Sequence, residues 1–405
     1  MLSRLTKQGR VPPAGWRRTA DVPSRFWHNA RFRAWLYQGL ALALVLVVVV
    51  AMFGNASHAL ASRGIRTGFA FLSSEAGFSI SESLWPFSST DSFFDAFLVG
   101  LSNTLWISAV SIVGATLLGL FLGVARLSSN WLVARMALVY VEIFRNTPQL
   151  IQIVFWYTLM AHFPGSRQAW HLSDWVYLGN RGLLVAWPAD RTGFLATMVA
   201  FLLALTVAVM LSRRTARRST ARSSMRGCWP GVALVVGMPV LVWLATGGST
   251  SMEFPRLQGF NFRGGLALSS EFLALSLGLS LYIAAYIAEI VRAGIQSVDR
   301  GQIEAGRAIG LRNFELLRRI ILPQALRVIV PPVTAQYISL VKNSSLGVAV
   351  GYPELFNVTN SVIVASGHTL ECVFIMGAVY LAVSLAIAVV MNACNRAITI
   401  RGARS

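Results

Sequence analysis

Charge is scarce in this chain. Asp, Glu, Lys and Arg make up 13% of its residues, against about 25% in soluble domains, which excludes an ordinary water-soluble globule. No G-x4-G-K-[ST] phosphate loop occurs in the 405 residues, so ATP chemistry associated with this chain belongs to another polypeptide. Cysteine is nearly absent. Cys228, Cys372 and Cys394 lie in or at the ends of apolar runs, without the spacing of a metal cluster or a disulfide framework. The five histidines do not cluster, and His162 and His171 share one polar loop. No paired carboxylates or nucleophile elbow mark an enzyme site. No clear internal repeat points to an inverted-repeat transporter. Neither a metal nor a cofactor is expected.

What is abundant is apolar surface: 55% of residues are hydrophobic and the mean hydropathy is +0.60. The net charge of +19 therefore has to be read by position. A nucleic-acid binder carries a basic face on a polar domain, whereas these arginines sit between apolar runs, as cytoplasmic loops do. Nucleic acid is excluded as a partner and the bilayer is implied.

A hydrocarbon core about 30 Å thick takes about 20 apolar residues as helix. Eight such spans are expected, over about 35–54, 96–125, 134–161, 192–211, 229–247, 270–291, 328–350 and 371–395. The first follows a basic leader too long for a cleaved signal peptide. With the N-terminus inside, the inside segments hold 26 Lys and Arg residues and the outside loops seven. That asymmetry predicts both termini in the cytoplasm. The expected organisation is a basic cytoplasmic tail (1–34), a first span (35–54), an outside loop (55–95), a helical membrane domain (96–396) and a short cytoplasmic tail (397–405). RRTARRSTARSSMR (213–226) reads as a flexible basic loop able to face lipid headgroups.

One inside segment, 297–325, is patterned as helix rather than loop. Ile303, Ala305, Ala308 and Ile309 predict a short helix, ended by Gly310 in the left-handed conformation. Asn313 is placed to cap a second helix, with Leu311, Phe314, Leu317 and Ile321 as its apolar stripe and Pro323 interrupting it near membrane re-entry. The result is a helix–turn–helix with an apolar ridge. The protein's own helices, the lipid surface or another protein could cover that ridge.

Glu304-Ala305-Gly306, three residues, Gly310, nine residues, Ile320, one residue and Leu322-Pro323 resemble the EAA loop of bacterial ABC importer permeases, EAA-x3-G-x9-I-x-LP. Gly306 stands where that family usually has Ala, weakening the first helix by up to about 1 kcal/mol. EIFRNTPQLIQ (142–152), AEIVRAGIQSV (288–298) and LVKNSSLGVAVG (340–351) resemble segments of permeases for polar amino acids, and the extra spans resemble the larger permease subunits of general L-amino-acid importers. The resemblance covers about residues 96–396. It implies an all-α polytopic membrane protein of type I ABC importer permease architecture in the bacterial inner membrane. It also implies that Glu304, Ala305, Gly306, Gly310, Phe314, Leu317, Ile320, Leu322 and Pro323 couple the chain to a separate cytoplasmic ATP-binding subunit. The further partners implied are a periplasmic amino-acid-binding protein and a second, related but non-identical permease chain.

Polar residues inside the spans are the other candidates. Glu142 and Arg145 are three apart, as are Glu289 and Arg292, so each pair can meet on one helix face. Pro148 breaks the helix ladder beside Asn146, Thr147 and Gln149. Lys342, Asn343 and Ser344 sit in the seventh span, and a charge at mid-bilayer costs at least about 2.5–3.5 kcal/mol. These residues are candidates for the path of a zwitterionic solute, with stabilised helix ends as the alternative. Glu289 and Arg292 are expected to be a helix-end ion pair. Gly119 and Gly123 form a GxxxG, read as close helix packing. An ion-coupled carrier would need an unneutralised carboxylate in mid-membrane, and Glu142 and Glu289 each have an Arg three residues away.

Overall fold

Small residues recur along the stretch Ser270–Gln296, and that decides the architecture. A computed structural model describes residues 30–62, 68–216, 229–259 and 261–398. The chain divides into two units, Met1–Thr67 and Gly68–Ser405. The first contains α1 (Ala30–Ser62), whose Phe32–Met52 portion is long and apolar enough to cross a membrane.

In the second unit, α2 (Phe93–Ala125), α3 (Trp131–Asn146), α4 (Gln149–Ala161) and α10 (Leu322–Asn343) all pack on α7 (Ser270–Gln296). Ala274, Gly278, Ala284, Ala288 and Gly294 of α7 are buried. They let the neighbours approach closely, so Ile153 of α4 lies against Gly278 and Ile329 of α10 against Gly294. The GxxxG of α2 serves the same contact. A Cβ on Gly119 or Gly123 would stand 2.7 Å from Ile287 or Val291. The core runs through Ile107, Ile153, Leu275, Leu279, Ile283, Ile287, Ile329 and Leu340.

Several expected elements differ in the structure. The span expected over 134–161 is two helices, because Pro148 lacks an N–H and forces Thr147 into extended backbone (φ −99°, ψ 131°). The span expected over 328–350 is α10 followed by a 3-10 segment, Ser344–Val350, which ends at Gly351 with φ +81°. Pro331 and Pro332 lie inside α10 without breaking it. The helix α11 (Leu355–Ser366) precedes the last helix, α12 (Thr369–Ile398), where no element was expected. By length and composition, four described helices can cross a membrane: those in α1, α2, α7 and α12.

The segments beyond α4 and before α7 form strands. β1 (Trp170–Ser173), β2 (Val176–Gly179) and β3 (Gly182–Val185) make an antiparallel meander. β4 is Trp187–Pro188, and α5 (Arg191–Ala216) and α6 (Trp229–Ala245) follow it, packed on each other. Next come β5 (Met252–Glu253), β6 (Arg256–Gln258), β7 (Asn261–Arg263) and β8 (Leu266–Leu268). β8 closes on β3, Leu183 opposite Leu268, and leads straight into α7. The sheet therefore holds the N-terminal end of the central helix. The basic loop expected over 213–226 is helical to Ala216, and its remainder lies outside the described residues, as do most of the expected basic tail and residues 399–405.

Candidate functional site

At the end of the bundle opposite the sheet, α7 leads into α8 (Arg300–Ala308). Asp299 caps it by accepting from the Gly301 N–H at 2.6 Å. Gly310, with φ +81°, ends it, while the Leu311 N–H donates to the Gly306 carbonyl at 3.1 Å. That is the six-to-one bond of a Schellman cap. Next is α9 (Asn313–Leu316). Asn313 is its first helical residue rather than its cap. Arg312 takes the cap position, and its N–H donates to the Glu315 side chain at 3.4 Å.

Pro323 does not interrupt the second helix. Leu317–Ile321 form a π turn that runs directly into α10, absorbing the backbone bond Pro323 cannot make. The chain is thus helical without a break from Asn313 to Asn343. The π turn also divides the expected apolar stripe. Leu316 is buried, and it and Ile320 pack on Gly306, where a Cβ would stand 2.6 and 2.7 Å from their methyl tips. Phe314 (70% exposed), Leu317 and Leu322 point outward with Ile309 (76% exposed). Glu304 and Ala305 are exposed, and Pro323 is half-buried.

The polar candidates meet around the α3–α4 corner. The Asn343 Nδ2 donates to Gln149 Oε1 at 2.7 Å, tying the far end of α10 to the break before α4. Gln149 is buried, and among the described residues its Nε2 has no partner. Gln152, the last residue of the 142–152 segment, donates through Nε2 to the Phe144 and Thr147 carbonyls, both at 3.0 Å. These are acceptors exposed by Pro148. Its one legible signal was a polar side chain one turn after a proline in an apolar helix. Thr147 donates its hydroxyl to the Ile143 carbonyl at 2.8 Å.

Among the described residues Glu142 and Arg145 form no ion pair. Glu142 instead accepts from Asn146 Nδ2 at 3.1 Å, and the Arg145 guanidinium lies over the Tyr286 ring, 5.2 Å from its centre. The Tyr286 hydroxyl is 3.1 Å from that of Tyr282. Lys342 is exposed. Ser344 is fully buried and donates to the Val341 carbonyl at 2.7 Å.

Glu289 has two cations. Arg292 Nε donates to both its oxygens at 3.2 Å, and Arg126, at the end of α2, pairs with it from across the helix contact. Arg126 had been counted only as a topological charge.

A last cluster lies near the sheet and was not foreseen. Asn103 Nδ2 donates to the Glu82 carbonyl at 2.8 Å and the Pro353 carbonyl at 2.9 Å. Ser269, which caps α7, donates its hydroxyl to the Glu82 carboxylate. Burial raises the Glu82 carboxyl above its usual range. Glu354 caps α11 by accepting from the Phe356 and Asn357 N–H groups at 2.9 and 2.8 Å, and from the Tyr380 hydroxyl at 2.7 Å. Burial outweighs these bonds and pushes its pKa up to about 7.

Residues 230–400 match the family model described as binding-protein-dependent transport system inner membrane component. YhdX of Escherichia coli, named provisionally as an amino-acid ABC transporter permease, is 44% identical over 95% of this chain and 98% of its own length. The general L-amino acid transport system permease AapQ of Rhizobium johnstonii is 38% identical, covering 91% of this chain and 92% of its own. The glutamate/glutamine/aspartate/asparagine transport system permease BztB of Rhodobacter capsulatus is 36% identical, covering 96% and 98%.

Proposed function

As this chain belongs to the inner-membrane permeases of binding-protein-dependent amino-acid ABC transporters, we propose that it imports polar or broad-range L-amino acids by alternating access. ATP hydrolysis takes place in a separate cytoplasmic subunit, which docks on the ridge of Ile309, Phe314 and Leu317. An extracytoplasmic binding protein delivers the solute to the sheet end, and both termini lie in the cytoplasm. A related, non-identical permease chain completes the path. On this side the path is lined by Arg145, Gln149, Lys342 and Asn343, with Glu142, Asn146, Thr147 and Ser344 shaping its wall. The Arg126–Glu289–Arg292 cluster holds α2 to α7 at the cytoplasmic end.

The observation that carries this reading is the unbroken helical run from Asn313 to Asn343. At about 1.5 Å per residue, it is a strut about 45 Å long. One end sits beside the exposed ridge, the other on Gln149 at the α3–α4 break. Movement imposed at Phe314 thereby reaches the polar corner without a hinge of coil between them.

The test is a mild-detergent pull-down of the tagged chain, alone and as Phe314→Asp with Ile309→Asp, followed by mass spectrometry. The expected result is a chain with a G-x4-G-K-[ST] loop that is lost from the double variant, together with a second permease. A chain recovered alone that still imports amino acids along an ion gradient, with ATP depleted, would replace this reading with an ion-coupled carrier.

A further inference from the structure

The tip of the β2–β3 hairpin carries charge at the edge of the membrane. Gly179 and Gly182 face each other across the ladder, leaving Asn180 and Arg181 as a two-residue turn. Gly182, with φ +108°, is pressed against the Leu268 carbonyl and the Ser269–Ser270 backbone, at the start of α7. On the other side the Asn180 N–H donates to the Pro164 carbonyl at 3.0 Å, just beyond the end of α4. Arg181 is therefore level with the ends of two bundle helices. The 27 residues of α7 span about 40 Å at about 1.5 Å per residue. A bilayer with its headgroups is about 40–45 Å thick, so the first turn of α7, and Arg181 with it, reaches the headgroup layer.

A cavity of about 300 Å³ opens at this level, lined by Gly165, Ser166, Arg167, Gln168, Asn180 and Arg181. Two guanidinium groups share it, and among the described residues no carboxylate lines it and none pairs with Arg181. Two cations facing one space repel unless an anion lies between them. The surroundings are apolar on the membrane side. Phe155 and Leu159, exposed and one turn apart on α4, lead toward this end from the hydrocarbon. Trp170, two residues after Gln168, is exposed, and its ring lies 5.0 Å from that of Phe163. Such amphipathic rings are favoured at headgroup depth.

We propose that Arg167 and Arg181 bind the phosphodiester of an anionic phospholipid in the leaflet on the sheet side. A guanidinium offers paired N–H donors that match phosphate oxygens, and Gln168 and Asn180 add neutral amide donors. The charge balance selects an anionic headgroup, because a choline or ethanolamine head brings its own cation to a site that already holds two. The bound lipid ties the hairpin, and through Gly182 the start of α7, to the bilayer. The inference goes beyond the transport reading and holds whatever solute the chain carries.

The test uses the full chain, purified with its partner subunits in mild detergent and stripped of lipid. It is titrated with phosphatidylglycerol, with phosphatidylcholine of the same acyl chains, or with glycerol 3-phosphate, and native mass spectrometry counts the lipids bound. Anionic lipid also reaches cytoplasmic arginines, so the readout is the difference between the wild type and a variant carrying both Arg167→Gln and Arg181→Gln. The double variant should lose one phosphatidylglycerol, the affinity of that site falling about thirtyfold, and each single variant should weaken it about fivefold. Arg181→Lys should keep more of it than Arg181→Gln, and phosphatidylcholine should bind all of them alike. Both arginines are exposed, so without lipid the variants should melt with the wild type. Added phosphatidylglycerol should then raise the melting temperature of the wild type more. Phosphatidylglycerol binding equally to the wild type and the double variant would overturn the site. Equal loss of phosphatidylcholine would overturn the phosphate receptor in favour of an apolar groove. Glycerol 3-phosphate that displaces the lipid at matched concentration would overturn the lipid as ligand in favour of a soluble phosphate. A double variant that keeps its lipid but no longer captures the binding protein would reassign both arginines to that partner.

Discussion

Asn343 and Gln149 are 194 positions apart in sequence, and their side-chain amides meet at 2.7 Å. The contact joins the end of one helix to the start of another within an apolar bundle, where few polar groups find partners. Replacing Asn343 by Leu leaves the Gln149 oxygen unpaired, at a cost of about 1–3 kcal/mol. Removing both amides together should cost less than the two single changes summed. Thermal unfolding of the four proteins in one detergent gives the coupling energy. Strict additivity would show the bond contributes nothing.

Gly310 has φ +81° with open space around its missing Cβ, so substitution there strains backbone and nothing else. Gly310→Ala should cost about 1 kcal/mol locally, and Gly310→Val more, because a β-branched residue resists positive φ. Membrane insertion and expression should be unchanged. Uptake and retention of the ATP-binding chain should fall in the order Gly, Ala, Val. Normal uptake by the valine variant would remove the turn from the coupling mechanism.

Gly119 and Gly123 face α7, where added Cβ atoms would come within 3.0 Å of the Ala284 carbonyl and 2.9 Å of the Ala288 carbonyl. Backbone cannot give way as a methyl tip can. Gly123→Val should therefore destabilise the chain itself by about 1–3 kcal/mol, seen as a lower melting temperature and poorer yield. A variant of normal stability that has lost only its partner permease would mean that this stripe is an interface between subunits instead.

Glu354 links stability to pH. Its folded pKa is raised by burial to about 7, from 4.5. A carboxyl with a raised folded pKa contributes stability that is complete below pH 4.5 and is lost as pH rises through 7. The interval corresponds to on the order of 3 kcal/mol. The melting temperature should fall between pH 5 and pH 8. Glu354→Gln should flatten that slope while costing about 1 kcal/mol at low pH through the weaker cap of α11. An unchanged slope in the variant would assign the pH dependence to other groups.

Much of this protein is legible along the chain because it depends on local chemistry. Apolar runs announce α1, α2, α7 and α12, since a bilayer demands a fixed length of unbroken hydrophobicity. Gly310 announces the end of α8 because a positive φ suits glycine. The segment from Glu304 to Pro323 and the polar segments at 142–152 and 340–351 stand out through their resemblance to permease segments, which periodicity alone does not supply.

Other features were decided only by the fold. Pro323 reads as a helix breaker, yet a π turn carries the helix past it into α10. Glu142 and Arg145 are spaced to meet on one helix face, yet Asn146 and the Tyr286 ring are the partners they take. The strands beyond α4 close only through β8, some 80 residues later, a pairing no local pattern announces. Arg126 with Glu289, Gln152 on the carbonyls that Pro148 exposes, and Asn103 holding Glu82 to Pro353 are likewise choices of partner. Residue type and spacing determine which groups need a partner. Which partner each receives is settled when distant segments pack, because in an apolar bundle a polar group bonds to whatever donor or acceptor tertiary contact brings within reach.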